Sequence, residues 1–106
     1  MPTTITAIFD NPVDPAAFEA GYADGVVELA RALPGLQRLE TSKVWPKEDG
    51  SPTPAYRTIT MYFPDYDTAS AAVTTEAAGA FFPAAMALAT GGARFLFSDV
   101  EVSDPV

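Results

Sequence analysis

The chain has 106 residues, enough for one domain that buries on the order of two-thirds of the surface its unfolded form exposes. It holds neither cysteine nor histidine, which excludes disulfides and thiolate chemistry and removes the commonest acid–base catalyst near neutral pH together with the best transition-metal ligands. Fourteen acids against six bases give a formal charge of −8, and the bases form no run, so neither nucleic acid nor an anionic membrane is an expected partner, and neither a metal nor a cofactor is expected.

The opening MPTTITAIFD has no basic segment and no apolar core with a cleavage site, and no apolar run approaches membrane-spanning length. The expectation is a soluble, cytoplasmic protein. From Thr3 to Phe9, β-branched residues and alternating polarity predict a strand, stopped by Asp10, Asn11 and Pro12. Asp14 followed by Pro15 then reads as a helix start, because the carboxylate accepts an orphan amide bond and proline loses nothing at the first helical position. Phe18, Tyr22, Val26, Leu29 and Leu33 recur at helical spacing, while Glu19, Asp24, Glu28 and Arg31 fall mostly at other angles. Pro34 and Gly35 close this amphipathic helix.

Leu36 to Trp45 predicts a second strand and Ala55 to Phe63 a third, with Tyr56, Thr58, Thr60 and Tyr62 alternating against Arg57, Ile59, Met61 and Phe63. The segment 46–54 between them, rich in proline and carrying Asp49-Gly50, is too long for a two-residue hairpin and reads as an exposed flap. Asp65 and Asp67 cap an alanine-rich helical stretch from about Thr68 to Ala89, which Gly79 and Pro83 should break or kink, since proline inside a helix costs about 3 kcal/mol. Thr90-Gly91-Gly92 ends it, Ala93 to Val102 forms the last strand, and 103–106 is a tail. The order βαββαβ, without repeats or linker, predicts a single α+β domain over 1–106: a ferredoxin-like four-stranded antiparallel sheet with two helices on one face. Its other face needs a cover.

The stretches NPVDPAAFEAGYAD, LARALPGL, PAYRTITMYF and ATGGARFLFSDV, in this order and spacing, resemble the EthD family of dimeric α/β-barrel proteins. The resemblance spans nearly the whole chain. It implies a ferredoxin-like protomer that pairs sheet to sheet with a second copy, with a cleft between helices and sheet. Bacterial members of that family are tied to alkyl-ether degradation operons without an agreed reaction, and similar fungal proteins decarboxylate or dehydrate aromatic polyketides. Relatives in the wider barrel group include small monooxygenases, cyclases and lactone isomerases, so the fold alone sets no chemistry. The first helix departs from the family pattern. Where relatives carry a tyrosine pair, an acid and a histidine, the histidine position falls on Val26 and the first tyrosine on Gly21, while Tyr22 and Asp24 remain. Valine neither donates nor accepts a proton, so the family's acid–base role does not carry over.

Asp24 and Glu28 share a helix side and could act as paired carboxylates, but in so acidic a protein they read as a solvated face. Asp65 with Asp67 and Asp99 with Glu101 read as helix caps and strand-end charges. Tyr22, Tyr56, Tyr62 and Arg57 are the better candidates for a site: phenols donate to a developing oxyanion, and guanidinium holds a carboxylate. Tyr22 is the one candidate for a catalytic role, and it shares its helix face with Val26. Aromatic strand residues also serve plain packing. Trp45, Phe81, Phe82, Met86, Phe95 and Phe97 offer surface to a flat apolar ligand, though such residues are ordinarily core. Gly91-Gly92 lacks the strand-to-helix setting of a phosphate loop.

The expected protein is therefore an EthD-like homodimer, joined through the sheet face, that binds a small apolar, aromatic or polyketide-like molecule. Its cleft should open near Tyr22 and be lined by Val26, Tyr56, Arg57, Tyr62, Phe81, Phe82 and Met86. Catalysis is left open. Cofactor-free proton transfer leads (cyclisation, dehydration or isomerisation), a binding or accessory protein without the family histidine comes second, and a cofactor-free monooxygenase third.

Overall fold

The computed structural model describes all residues from Met1 to Val106. Strand β1 spans Thr3–Phe9, β2 Arg38–Lys43, β3 Arg57–Phe63 and β4 Ala93–Asp99. They form one sheet in the order β2-β3-β1-β4, every neighbouring pair antiparallel. The α+β, ferredoxin-like architecture read from the sequence is what the chain adopts. β1 matches the sequence reading residue for residue, whereas β2, β3 and β4 are shorter than expected; beyond their ends the Val44 amide still donates to the Tyr56 carbonyl, the Tyr56 amide to that of Phe9 and the Val100 amide to that of Pro2.

The alternation sorts the sheet into two faces. Ile5, Ala7 and Phe9 of β1 and Ile59, Met61 and Phe63 of β3 are fully buried beneath the helices. Thr4, Thr6 and Ile8, facing Tyr62, Thr60 and Thr58 across the pair, line the outer side, which no element covers. The helical layer adds Phe18, Tyr22, Val26, Ala30, Leu33, Ala69, Ala72, Ala78, Phe81 and Ala85 to the same buried cluster. Alanines at the helix–sheet contact let the backbones approach closely, and the aromatic rings fill the wider gaps.

The first helix is not continuous. Helix α1 (Pro15–Gly21) starts as predicted, the Asp14 carboxylate accepting from the amides of Ala16 and Ala17. Tyr22–Val26 then form a π turn, with Gly25 at φ 178° and ψ −24°, before α2 (Val27–Arg31) resumes. The second helical stretch is also divided, but not where the sequence suggested. Helix α3 (Tyr66–Ala72) ends at Val73, and α4 (Glu76–Leu88) runs through both Gly79 and Pro83. The break lies at Thr75, whose side chain bonds the Ala72 carbonyl and caps the Ala78 amide. Pro83 therefore lies inside a continuous helix rather than ending one. The flap joins β2 to β3 as an exposed loop, turned by Gly50 at φ 78° and tied down where Asn11 donates to the Thr53 carbonyl. No single helix is long and apolar enough to cross a membrane.

A buried phenol beside a shared carboxylate

The helix-facing side of the sheet brings two cations together. In the β2–β3 register Lys43 stands directly opposite Arg57, and both side chains point toward α1. Like charges facing each other across a strand pair are destabilising unless something neutralises them. Glu19 does so. Arg57 grips its carboxylate through Nε and Nη2, with contacts of 2.9 to 3.2 Å, Lys43 Nζ lies 3.3 Å away, and the Tyr56 hydroxyl donates to it at 2.7 Å. Partial burial pushes the Glu19 carboxyl up, but the bonds from Arg57, Tyr56 and Lys43 outweigh it and hold the group below its usual value. Burial and the bond to Glu19 push the Tyr56 phenol up.

Beneath this cluster lies Tyr22, only 6% exposed. Its ring stacks on Phe18 with centroids 5.5 Å apart, meets Phe9 edge to face at 6.3 Å, and carries the Arg57 guanidinium 4.7 Å above it. The hydroxyl is buried and makes no hydrogen bond. Thr41 of β2 and Arg57 stand near it, but neither closes bonding geometry, and burial pushes the phenol above its ordinary value of 10.0. The π turn begins at this residue, so the orphaned donor sits where the helix is least regular.

Of the residues singled out in the sequence, Tyr22, Tyr56 and Arg57 come together here. Val26 is 4% exposed, on the buried helix face next to them. The expected cleft between the first helix and the sheet is not an enclosed cavity: Phe81 points inward and is fully buried, and no surface hollow is lined by Tyr22 or Val26. Phe82 packs between Phe81 and Phe95, whereas Met86 is half exposed. Tyr62 belongs to the opposite face of the sheet, where it donates to Glu40. Asp24 is exposed and Glu28 pairs with Arg31, as a solvated face would. What remains open is a shelf along β2, where Thr41 and Lys43 are exposed. At its end Lys43, Val44, Trp45 and Pro46 line an open surface hollow of about 300 Å³. Sequence reasoning missed Glu19 and Lys43. The signal was present only jointly, in two cations that pair across strands and need a carboxylate.

A four-stranded antiparallel sheet covered on one face by helices, the first of them broken over the Tyr22 shelf, defines a ferredoxin-like α+β protein. No family model matches the sequence. The solved structure of an ethyl tert-butyl ether D (EthD) family protein from Bacillus halodurans matches with a TM-score of 0.86 at 23% identity, covering 94% of this chain and 99% of that one. SnoaB, a cofactor-independent oxygenase from Streptomyces nogalater, has a TM-score of 0.65 at 18% identity, with 99% and 97% of the two chains covered. A dimeric ferredoxin-like protein of unknown function from Jannaschia has a TM-score of 0.68 at 15% identity, covering 94% of this chain and all of that one. Among curated proteins, an uncharacterized 11.0 kDa protein in the thcB-thcC intergenic region of Rhodococcus erythropolis is 30% identical over 101 residues, 95% of this chain and 97% of its own length. The chain belongs to one family with this Rhodococcus protein, and the EthD resemblance read from its sequence is matched by its fold.

Proposed function

We propose that the protein, as a self-associating EthD-like protomer, binds a small and largely apolar molecule through one oxygen atom that accepts a hydrogen bond from Tyr22. The observation that carries this reading is the orphaned phenol: a buried hydroxyl without a partner costs about 1–3 kcal/mol and persists where something other than stability requires it. A carbonyl or enolate oxygen entering past Thr41 would satisfy it. The Arg57 guanidinium above the ring would offset negative charge growing on that oxygen. The chemistry this suits is proton transfer without a cofactor, as in cyclisation, dehydration or isomerisation, with Tyr22 as acid or oxyanion donor.

The test is a thermal-shift and NMR titration with a neutral aromatic ketone, 2-acetonaphthone. A rise in melting temperature that is lost in Tyr22→Phe and kept in Tyr62→Phe supports the reading. No shift with this or related ketones overturns it. The protein is then an accessory or scaffold member of its family, a reading favoured by one specific observation, that Phe81 already fills the space over the sheet. Oxygen consumption in the same titration would instead point to the oxygenase chemistry that the SnoaB fold hosts.

A further inference from the structure

Two features at the shelf go unused by a ligand that only accepts a bond from Tyr22. The first is charge. Arg31, Arg38 and Arg94 each pair with a carboxylate of their own, Glu28, Glu40 and Asp10. Arg57 and Lys43 must share Glu19, which leaves one positive charge in surplus at the cluster. In a protein of net charge −8 that local excess runs against the global balance. The Arg57 side chain is already committed, being 19% exposed and gripping both carboxylate oxygens, so the surplus is presented by Lys43, 56% exposed. Its Nζ also lies 5.4 Å from the centroid of the Tyr56 ring, which holds the ammonium group at the shelf.

The second feature is an aromatic wall beside that charge. Trp45, the chain's one tryptophan, is 87% exposed, and with Val44 and Pro46 it lines the hollow of about 300 Å³ to which Lys43 also contributes. The hollow is of a size for one small ring system and too small for a folded partner. An indole face, a proline ring and an ammonium group are complementary to a flat aromatic body with an anionic end.

From this juxtaposition we infer that the site takes an aromatic carboxylate, its ring against Trp45 in the 43–46 hollow and its carboxylate on Lys43 beside the Arg57–Glu19 pair. This deepens the Tyr22 reading by naming the ligand class, and it rests on that reading only for the ligand's second oxygen. The charge is read on the exposed shelf, whatever happens at the buried phenol. Lys43 and Trp45 are here specificity-determining residues.

The probe is 2-naphthoate, with neutral 2-acetonaphthone as its control, titrated into the ¹⁵N-labelled full chain in chloride buffer. The single indole N–H signal reports on Trp45 directly. Naphthoate should move it at a lower concentration than the ketone does, and Lys43→Gln should weaken naphthoate binding by on the order of tenfold, an effect that fades with salt. An unmoved indole signal overturns the inference. So does equal binding of naphthoate and ketone that Lys43→Gln leaves unchanged; if that binding is lost in Tyr22→Phe, the Tyr22 reading survives alone. Naphthoate binding that Lys43→Gln abolishes and Tyr22→Phe spares leaves the carboxylate site standing without the phenol.

Discussion

Tyr22 carries a conflict that a substitution can expose. Its ring is well packed among Phe9, Phe18 and Arg57, yet its hydroxyl has lost water and gained nothing. Tyr22→Phe keeps the ring and removes the unpaired atom, so it should stabilise the chain by about 1 kcal/mol in urea denaturation; a loss of stability instead would mean that the phenol has a partner. Because burial raises its pKa, ionisation of the phenol opposes folding: stability is unaffected by this group below pH 10 and falls as pH rises from there through the folded-state value. Glu19 works with the opposite sign. Its folded pKa lies below the ordinary 4.5, so the stability it contributes is present above that pH and is lost as pH falls through the folded value. Acid titration of the urea midpoint should therefore fall less steeply below pH 4.5 in Glu19→Gln than in the parent chain. Parallel curves would show that the carboxylate is not coupled to folding.

At the scale of elements, agreement between sequence and structure follows how local each signal is. β1 was legible to the residue because alternation over Thr3–Phe9 is bounded on its far side by turn formers. The Asp14-Pro15 start and the buried stripe through Phe18, Tyr22 and Val26 were legible for the same reason. The π turn was not, since Gly25 lowers helix preference without saying how the helix will respond. Nor was the Glu19 cluster. Glu19 looks solvent-facing on its own helix, and only the β2–β3 register shows that Lys43 and Arg57 converge on it. The break between α3 and α4 was misplaced because Gly79 and Pro83 are conspicuous and the Thr75 cap is not. That correction has two consequences. Thr75→Ala should cost about 1 kcal/mol, the ordinary worth of a helix cap, whereas Gly79→Ala, at a helical position with open space around it, should add about 0.5–1 kcal/mol. Chemical denaturation of both variants checks the pair. The reverse order of stability would place the break back at Gly79.

The whole molecule is a slab 18 Å thick against 40 and 38 Å in its other dimensions, the depth of one sheet and one helical layer. Its helices lie on one side, so the outer sheet face is left without the second layer that a stable domain ordinarily supplies. That face is legible row by row from the register: Glu40, Thr60, Thr6 and Leu96 cross the middle, with Ser42, Thr58, Ile8 and Arg94 on one side and Arg38, Tyr62, Thr4 and Ser98 on the other. Threonines occupy its centre, while Ile8, Leu96 and Tyr62 supply the apolar area around them, with Leu96 47% exposed. A face of this kind suits self-association better than an unrelated partner. Short hydroxyl side chains allow two copies of the sheet to approach closely, and each threonine can bond across the join while its methyl group packs. The opposite edges of the middle row carry an acid and a leucine, and no uncompensated charge lies between them. Light scattering at micromolar concentration should therefore give twice the chain mass of 11.2 kDa. Thr6→Lys places an ammonium group at the centre of the join, where a second copy would bury it against its own image, and the mass should fall to that of one chain without loss of the monomer's fold. A parent chain that already scatters at 11.2 kDa, or a Thr6→Lys variant that still pairs, would move the interface away from this face.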